Sequence, residues 1–323
     1  MEGKFVVGID LGGTKISGAV ASFNGDIFSK YTLATKAEEG EMAVLQRIIS
    51  VIEKVILDSK VDIDKIAAIG IGSPGPLDAK EGKIITTPNL PFKNFNVVNP
   101  LRDKFNIPVY LDNDANAAAI GEYVFGAGKG TNNMVFITVS TGIGGGAVLN
   151  GKIYRGNTSN ALEIGHTTLE KEGPLCNCGN YGCAEALASG TAIGRAAREE
   201  VAKGVDTSLV AYEDITAYEV FKEAEKGDKI AKKVLDKALN YLGICVANVI
   251  ASFDPEMVII GGGVSKGGNI VFERVKEVVN ERCFKAMAES TKIVPAALGI
   301  DAGVIGAVAL AIMESNYFSQ SSS

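Results

Sequence analysis

The chain has 323 residues, 46% hydrophobic and 22% charged, which suits one large or two ordinary globular domains and excludes a disordered or fibrous class. Its net charge of −6 offers no basic footprint for nucleic acid or an anionic membrane surface. The longest apolar stretch, Gly303 to Met313, is about half of what a bilayer-spanning helix needs, and no basic-then-apolar leader opens the sequence, so a reduced, cytoplasmic compartment is expected, with no membrane or nucleic-acid partner.

Short β-branched runs ending in glycine alternate with helical patterns, the grammar of an α/β protein. Lys4 to Asp10 is the first predicted strand, Leu11 to Lys15 turns on Gly12 and Gly13, and Ile16 to Ser22 returns. Met42, Leu45, Ile48, Ile49, Ile52, Val55 and Ile56 recur at helical spacing and predict an amphipathic helix through Leu57. Ile66 to Gly72 reads as a buried strand. Val109 to Leu111 is a short strand ending at Asp112-Asn113-Asp114, and Ala115 to Phe125 is an alanine-rich helix. Met134 to Ser140, Thr141 to Gly145 and Gly146 to Leu149 then repeat the strand, glycine turn and returning strand of the first hairpin about 130 residues later.

The Lys222 to Lys233 stretch and the run Glu199 to Lys203 read as exposed helix faces, and Cys245 as helix packing. A third glycine turn, Gly261 to Gly263, follows the strand Met257 to Ile260, and a last helix begins at Asp301. The repeat predicts a duplicated domain with a boundary near Asp112. Residues 1-112, completed by a helix over 301-318, form the N-terminal α/β domain, 113-300 the C-terminal one, and 319-323 a disordered serine-rich tail.

Successive N–H groups bent around a glycine turn form a concave anion site, and glycine lets the backbone approach the ligand. Phosphate is the obvious anion for Asp10-Leu11-Gly12-Gly13-Thr14-Lys15; a plain hairpin turn is the competing reading, and Lys15 reads equally as a phosphate contact or a solvated turn residue. The second turn, Ser140-Thr141-Gly142-Ile143-Gly144-Gly145-Gly146, strengthens the first, since two such loops can clamp a polyphosphate. Gly126 to Thr131 imitates a Walker loop but has Gly130 where Ser or Thr should follow Lys129. Asp112, Asp114 and Asn116 imitate a calcium loop, but Ala117 and Tyr123 replace its required glycine and glutamate.

The one histidine stands before a cysteine cluster, so that His166, Cys176, Cys178 and Cys183 read H-x9-C-x-C-x4-C. Three thiolates and an imidazole suit tetrahedral zinc, and four protein ligands leave no open position, which makes the ion structural. Disulfides are the competing reading, but Cys176 and Cys178 pair poorly with each other and five cysteines is an odd count. Glu163, three residues before His166, and Glu185, two after Cys183, would be fixed in space by such a knot.

Together, Asp10 to Lys15, Asn113-Asp114-Ala115-Asn116, Thr141 to Gly146, Glu163-x-x-His166 and Cys176-x-Cys178-Gly179-x-x-Gly182-Cys183-x-Glu185 resemble the ROK group of sugar kinases over nearly the whole chain. The resemblance implies a two-domain actin-like/hexokinase fold, a duplicated ribonuclease H-like α/β architecture with an interdomain cleft. It implies Mg²⁺ with ATP as donor. The turns carrying Gly12, Gly13, Thr14 and Lys15 and carrying Thr141, Gly142 and Gly144 would hold the phosphates. Asp10 would help place the magnesium, and Gly261, Gly262 and Gly263 would lie near the adenosine. Asp114 would be the catalytic base, with an ordinary helix cap as its alternative. Asn113, Glu163, His166 and Glu185 would hydrogen-bond the sugar, joined by Asn89 of the Pro88-Asn89-Leu90-Pro91 segment. Asn160-Ala161-Leu162 departs from the small, glycine-containing spelling of the family.

The expected activity is phosphorylation of glucose at its 6-hydroxyl by a homo-oligomer, dimer or tetramer. Fructose, mannose, allose or N-acetylmannosamine are the alternative acceptors, polyphosphate the alternative donor, and a sugar-binding regulator without catalysis the alternative class. Repressors of the group resemble one another in a DNA-binding helix-turn-helix before the first glycine loop, and only nine residues precede Asp10 here, so the kinase is expected.

Overall fold

The computed structural model describes residues 4–87 and 89–315. Pro88, residues 316–318 of the last predicted helix and the predicted tail at 319–323 lie outside the described residues. Along the chain run β1 (Phe5–Leu11), β2 (Lys15–Ser22), β3 (Ile27–Ala34), α1 (Glu41–Ser59), β4 (Ile66–Ser73), β5 (Leu77–Asp78), β6 (Lys83–Thr86), β7 (Lys93–Asn96), α2 (Val98–Phe105), β8 (Val109–Asn113) and α3 (Asp114–Val124). There follow β9 (Met134–Val139), β10 (Ile143–Leu149), β11 (Lys152–Ile153), α4 (Ala184–Ala188), α5 (Gly190–Ala202), α6 (Ala217–Glu225), α7 (Lys229–Phe253), β12 (Met257–Gly261), α8 (Asn269–Arg282), α9 (Lys285–Ser290), β13 (Lys292–Pro295) and α10 (Ala302–Glu314).

The duplication is visible in the sheets. One has the order β3-β2-β1-β4-β8 and the other β11-β10-β9-β12-β13, so each reads 3-2-1-4-5 when its own strands are numbered from its own start. In both, an antiparallel hairpin is extended by parallel strands that require crossover connections. A third, antiparallel sheet β5-β6-β7 is an addition to the first half.

The chain divides into two compact units. The first comprises Met1–Gly130, Gly146–Ala161 and Ala297–Ser323, and the second Thr131–Gly145 and Leu162–Ala296. The edge of the first unit therefore lies beyond the boundary expected near Asp112, because α3 packs against α10 and stays with it.

In the first unit β1 and β4 are buried on both faces. Val7, Ile9, Ile69 and Ile71 share a core with Val44, Leu45, Ile48 and Ile52 of α1, whereas Val6 and Ala68 point to Val308 and Ala311 of α10. Each fully buried aliphatic side chain of this kind contributes about 1.5–3 kcal/mol of transfer free energy. Strands covered on both sides read as unbroken apolar runs, so their sequence pattern is plain. The small residues of α10 allow a close approach: a Cβ on Gly70 would stand 2.2 Å from the carbonyl oxygen of Ala307, so helix and sheet meet backbone to backbone. Strand β3 was not predicted, since its sequence IFSKYTLA is largely exposed or half-buried and carries little apolar pattern.

In the second unit β9, β12 and β13 run parallel, and α7 packs against α4, α5, α6 and α8. Gly303 to Met313 remains the longest uninterrupted apolar run, but helix α7, with 25 residues, is the one described helix long and apolar enough to cross a bilayer by length and composition. It is instead a core helix, 61% of its most apolar window being buried. The exposed helix face expected over Lys222 to Lys233 needs correction, because Glu223 is buried and accepts hydrogen bonds from Ser208 Oγ, Tyr212 Oη and Lys226 Nζ.

Candidate functional site

Register in the first unit gathers the acidic residues on one edge of the sheet. Asp10 of β1 lies opposite Gly72 of β4, and Gly72 opposite Asp112 of β8, so Asp10, Asp112, Asn113 and Asp114 all belong to the ends of parallel strands or the start of the helix that follows. Ligand sites of open α/β sheets collect at such carboxyl ends. Burial pushes the Asp10 carboxyl above the usual carboxylate range while Lys15 and Lys30 pull the other way.

The first glycine turn is closed by its own backbone. The Gly12 N–H donates to the Lys15 carbonyl at 3.0 Å, and the hydroxyl of Thr35 donates to the Gly12 carbonyl at 2.6 Å. The Gly12 amide thus braces the turn, contrary to the expectation that it would face an anion. Thr35, fully buried, is a supporting residue that no motif in the sequence announced. Asn89 is brought to this turn, its Cβ lying 2.6 Å from the place a Cβ on Gly13 would take.

Asn113 ends β8 and is the N-cap of α3, its Oδ1 accepting from the Ala115 N–H at 2.9 Å. Asp114 is the first residue of the helix and exposed; its Oδ1 accepts from the same N–H at 2.8 Å. The cap position belongs to Asn113, which leaves the Asp114 carboxylate displayed at the head of α3.

In the second unit the glycine turn after β9 is shaped by Glu185. Its Oε2 accepts from the Ile143 N–H at 3.0 Å, and a Cβ on Gly142 would stand 2.3 Å from that oxygen. A side chain at Gly142 would therefore oblige the Glu185 carboxylate to move. The Ser140 carbonyl accepts from the N–H of Gly190, at the start of α5, at 2.7 Å. At the third turn Gly262 has φ of 86°, and a Cβ there would lie 2.3 Å from the Val139 carbonyl oxygen, so only glycine fits. Next to these turns is a cavity of about 990 Å³, with Ser140, Thr141, Gly263, Phe221, Lys266 and Ile270 among its lining residues. Its size and its mix of apolar and convergent polar groups suit a nucleotide-sized ligand.

The cysteine cluster forms as read. The ligand atoms of His166, Cys176, Cys178 and Cys183 all lie within 4.8 Å of one another. Cys178 Sγ and Cys183 Sγ are 3.7 Å apart, and Cys176 Sγ is 3.6 Å from His166 Nδ1. A tetrahedral zinc with Zn–S bonds of about 2.3 Å puts neighbouring sulfurs about 3.8 Å apart, so the four donors fit that ion. No disulfide joins these three thiols. The Asn180 amide draws the Cys178 thiol down to about 7, while burial pushes that of Cys183 up to about 12. His166 turns Nδ1 to the cluster and Nε2 toward Glu163 Oε2, 4.0 Å away, which assigns the proton to Nε2 when Nδ1 is a ligand. Glu163 is exposed, whereas Glu185 is half-buried and tied to backbone. Before them, Leu162 adopts φ of 65°, a left-handed conformation at the place where the family spelling carries small residues.

Of the expected residues, Asp10, Gly12 to Lys15, Asn89, Asn113 and Asp114 belong to the first unit, and Thr141, Gly142, Gly144, Glu163, His166, Glu185, the three cysteines and Gly261 to Gly263 to the second. The residue most clearly missed is Arg155, whose Nε donates to the buried Asp112 at 2.7 Å across 43 residues of sequence.

Comparison with known proteins agrees with this geometry. The profile of the ROK family matches residues 6–314. A glucokinase of Halalkalibacterium halodurans is 37% identical over 311 residues, 95% of this chain and 94% of that protein. A xylose repressor of Caldicellulosiruptor bescii is 33% identical over 312 residues, 96% of this chain and 78% of that protein. The crystal structure of a ROK family glucokinase from Streptomyces griseus in complex with glucose and AMPPNP aligns with a TM-score of 0.77 and 30% identity, over 96% of this chain and 99% of that one.

Proposed function

Because the chain belongs to the ROK family, we propose that it is a glucokinase, which transfers the γ-phosphoryl group of Mg²⁺-ATP to the 6-hydroxyl of glucose. The observation that carries this reading is the exposed carboxylate of Asp114 at the head of α3, with Asn113 occupying the cap position beside it. Phosphoryl transfer asks a protein mainly for charge neutralisation and alignment. The sugar oxygen forms its bond to phosphorus as the bond to the ADP oxygen breaks, and its proton passes to Asp114, a contribution on the order of 10²- to 10⁴-fold.

Placement supports the remaining roles in this reading. Thr141 and Gly263 line the cavity that would receive the nucleoside, with Gly261 and Gly262 shaping its third turn. Magnesium, when bound with ATP, neutralises phosphate charge, and Asp10 is the carboxylate nearest the first glycine turn in sequence. Glu163, the Nε2–H of His166 and Asn113 supply an acceptor, a donor and an amide for sugar hydroxyls. His166, Cys176, Cys178 and Cys183 would hold a structural zinc, which stiffens the knot that carries Glu163 and Glu185. A reduced compartment such as the cytoplasm keeps those sulfurs available as ligands.

A sugar-responsive regulator is the second reading, favoured by the 33% identity to the xylose repressor. Steady-state measurement of sugar phosphate formation, with ATP or polyphosphate as donor and glucose, fructose, mannose, allose and N-acetylmannosamine as acceptors, separates the readings. A glucokinase gives its highest kcat/KM with glucose and ATP. A several-fold preference for another hexose replaces the acceptor but keeps the kinase, and sugar binding without phosphate transfer supports the regulator.

A further inference from the structure

Immediately before Asn113 and Asp114 stands a fully buried carboxylate that the reaction described above does not use. Asp112 Oδ1 accepts from the Asn113 N–H at 2.8 Å and from Asn116 Nδ2 at 2.9 Å, and its Oδ2 accepts from Arg155 Nε at 2.7 Å. The guanidinium of Arg155 is itself anchored, its Nη2 donating to Glu314 Oε1 of α10 at 2.6 Å. Three distant pieces of the first unit therefore converge on the turn from β8 into α3: the segment after β11, the end of α10 and the first turn of α3 itself.

A buried ion pair is weak evidence for stability, because removing two charges from water costs about as much as their attraction returns. Burial raises the Asp112 carboxyl, against the lowering influence of Arg155, Asn116 and the Asn113 amide. Asn116 shows the same priority: it turns its amide nitrogen to Asp112 although its Oδ1 is then buried with no partner among the described residues. What the arrangement achieves is direction. The Asn113 N–H is held on Asp112, so the Asp112–Asn113 peptide, one residue before Asp114 in the turn, has one orientation. The flat fork of arginine serves Asp112 and Glu314 at once from neighbouring nitrogens, which the single ammonium of lysine does not reproduce.

We propose that Asp112 and Arg155 are a positioning pair for the Asp114 carboxylate, setting the orientation of the β8 to α3 turn during phosphoryl transfer. This rests on Asp114 being the base. The test is a kinetic double-mutant cycle on the full-length protein with glucose and Mg²⁺-ATP. Arg155→Lys is expected to lower kcat about 10- to 100-fold, the size of effect a small misplacement of a reacting group produces, with the KM for glucose changed less than about twofold. In an Asp114→Asn background the same Arg155→Lys change should cost less than about twofold further, because the group it positions has lost its function.

Asp112→Asn, which keeps size and an acceptor for the Asn113 N–H but removes the charge opposite Arg155, is the second variant should Arg155→Lys not fold. It is expected to show the same split between kcat and KM. Unchanged kcat in a folded Arg155→Lys or Asp112→Asn protein, or losses that multiply in the Asp114→Asn background, would overturn the proposal. Near-normal turnover of Asp114→Asn alone would instead remove the base assignment, a separate failure visible in the same set.

Discussion

Glu185 accepts a hydrogen bond from the backbone N–H of Ile143 at 3.0 Å, so a carboxylate beside the cysteine cluster holds the glycine turn after β9. Its other oxygen lies 3.9 Å from Cys176 Sγ. One side chain thus links the candidate zinc ligands to a proposed phosphate loop. A side chain on Gly142 would have to push this link aside, since its Cβ would meet Glu185 Oε2 at 2.3 Å. Gly142→Ala should displace Glu185 and the turn together, with kcat/KM for glucose falling about 10- to 100-fold while the thermal midpoint changes by only a few degrees. Steady-state kinetics beside a melting curve checks this; normal kinetics would show that the contact is dispensable.

Zinc is expected at about one ion per chain. Chelation from the native protein should lower the melting temperature and abolish activity together, and zinc should restore both, because a structural site binds ligands whose order depends on the ion. Elemental analysis of freshly purified protein is the check. A metal-free protein that is folded and fully active would contradict it.

Much of this was legible in the sequence for a simple reason: glycine turns, the H-x9-C-x-C-x4-C spacing and the buried strands are local patterns, and locality is what a sequence displays. The 3-2-1-4-5 order shared by the two large sheets was foreshadowed by the repeat of hairpin and glycine turn. What stayed hidden depends on partners far away in the chain. Asp112 read as part of a failed calcium loop or as a domain edge, yet its role comes from Arg155, 43 residues on, and from Glu314, which lies 159 residues beyond that arginine. Glu223 lay in a run read as solvated, and only the fold brings Ser208 and Tyr212 onto it. Gly142 read as a place for a phosphate, and only the fold shows the carboxylate of Glu185 against it. The strand β3 and the small sheet β5-β6-β7 escaped because short or exposed strands carry little period.

Asp228 offers a test of stability apart from the site. It caps α7 through the N–H groups of Ile230 and Ala231 and also accepts from Ser208 N at 2.7 Å and Thr207 Oγ1 at 2.8 Å. Burial alone would raise its carboxyl, but the Ala231 and Ser208 amides and the Thr207 hydroxyl help bring it down to about 2. A depressed carboxyl contributes stability that is present above its ordinary value of 3.8 and is lost as pH falls toward about 2. Asp228→Ala should therefore cost about 1–2 kcal/mol at neutral pH, and its difference from the parent protein should shrink at pH 3. Urea unfolding at both pH values measures it; a gap that widens in acid would be inconsistent with the cap.

Asp114→Asn keeps the shape of the side chain and an oxygen for the Ala115 N–H while removing the basic carboxylate. Turnover should fall by at least about 10²-fold with glucose affinity largely retained, as measured by rapid kinetics and calorimetric binding. Near-normal turnover would show that another group takes the proton.

The most direct measurement is the product itself. Purified protein, glucose, Mg²⁺ and ATP should yield ADP and glucose 6-phosphate in equal amounts, identified by phosphorus and carbon NMR, with formation lost when Asp114 is replaced by Asn. A phosphate on another hydroxyl, or ATP hydrolysis without a phosphorylated sugar, would contradict the assignment of a kinase whose base faces the 6-hydroxyl of glucose.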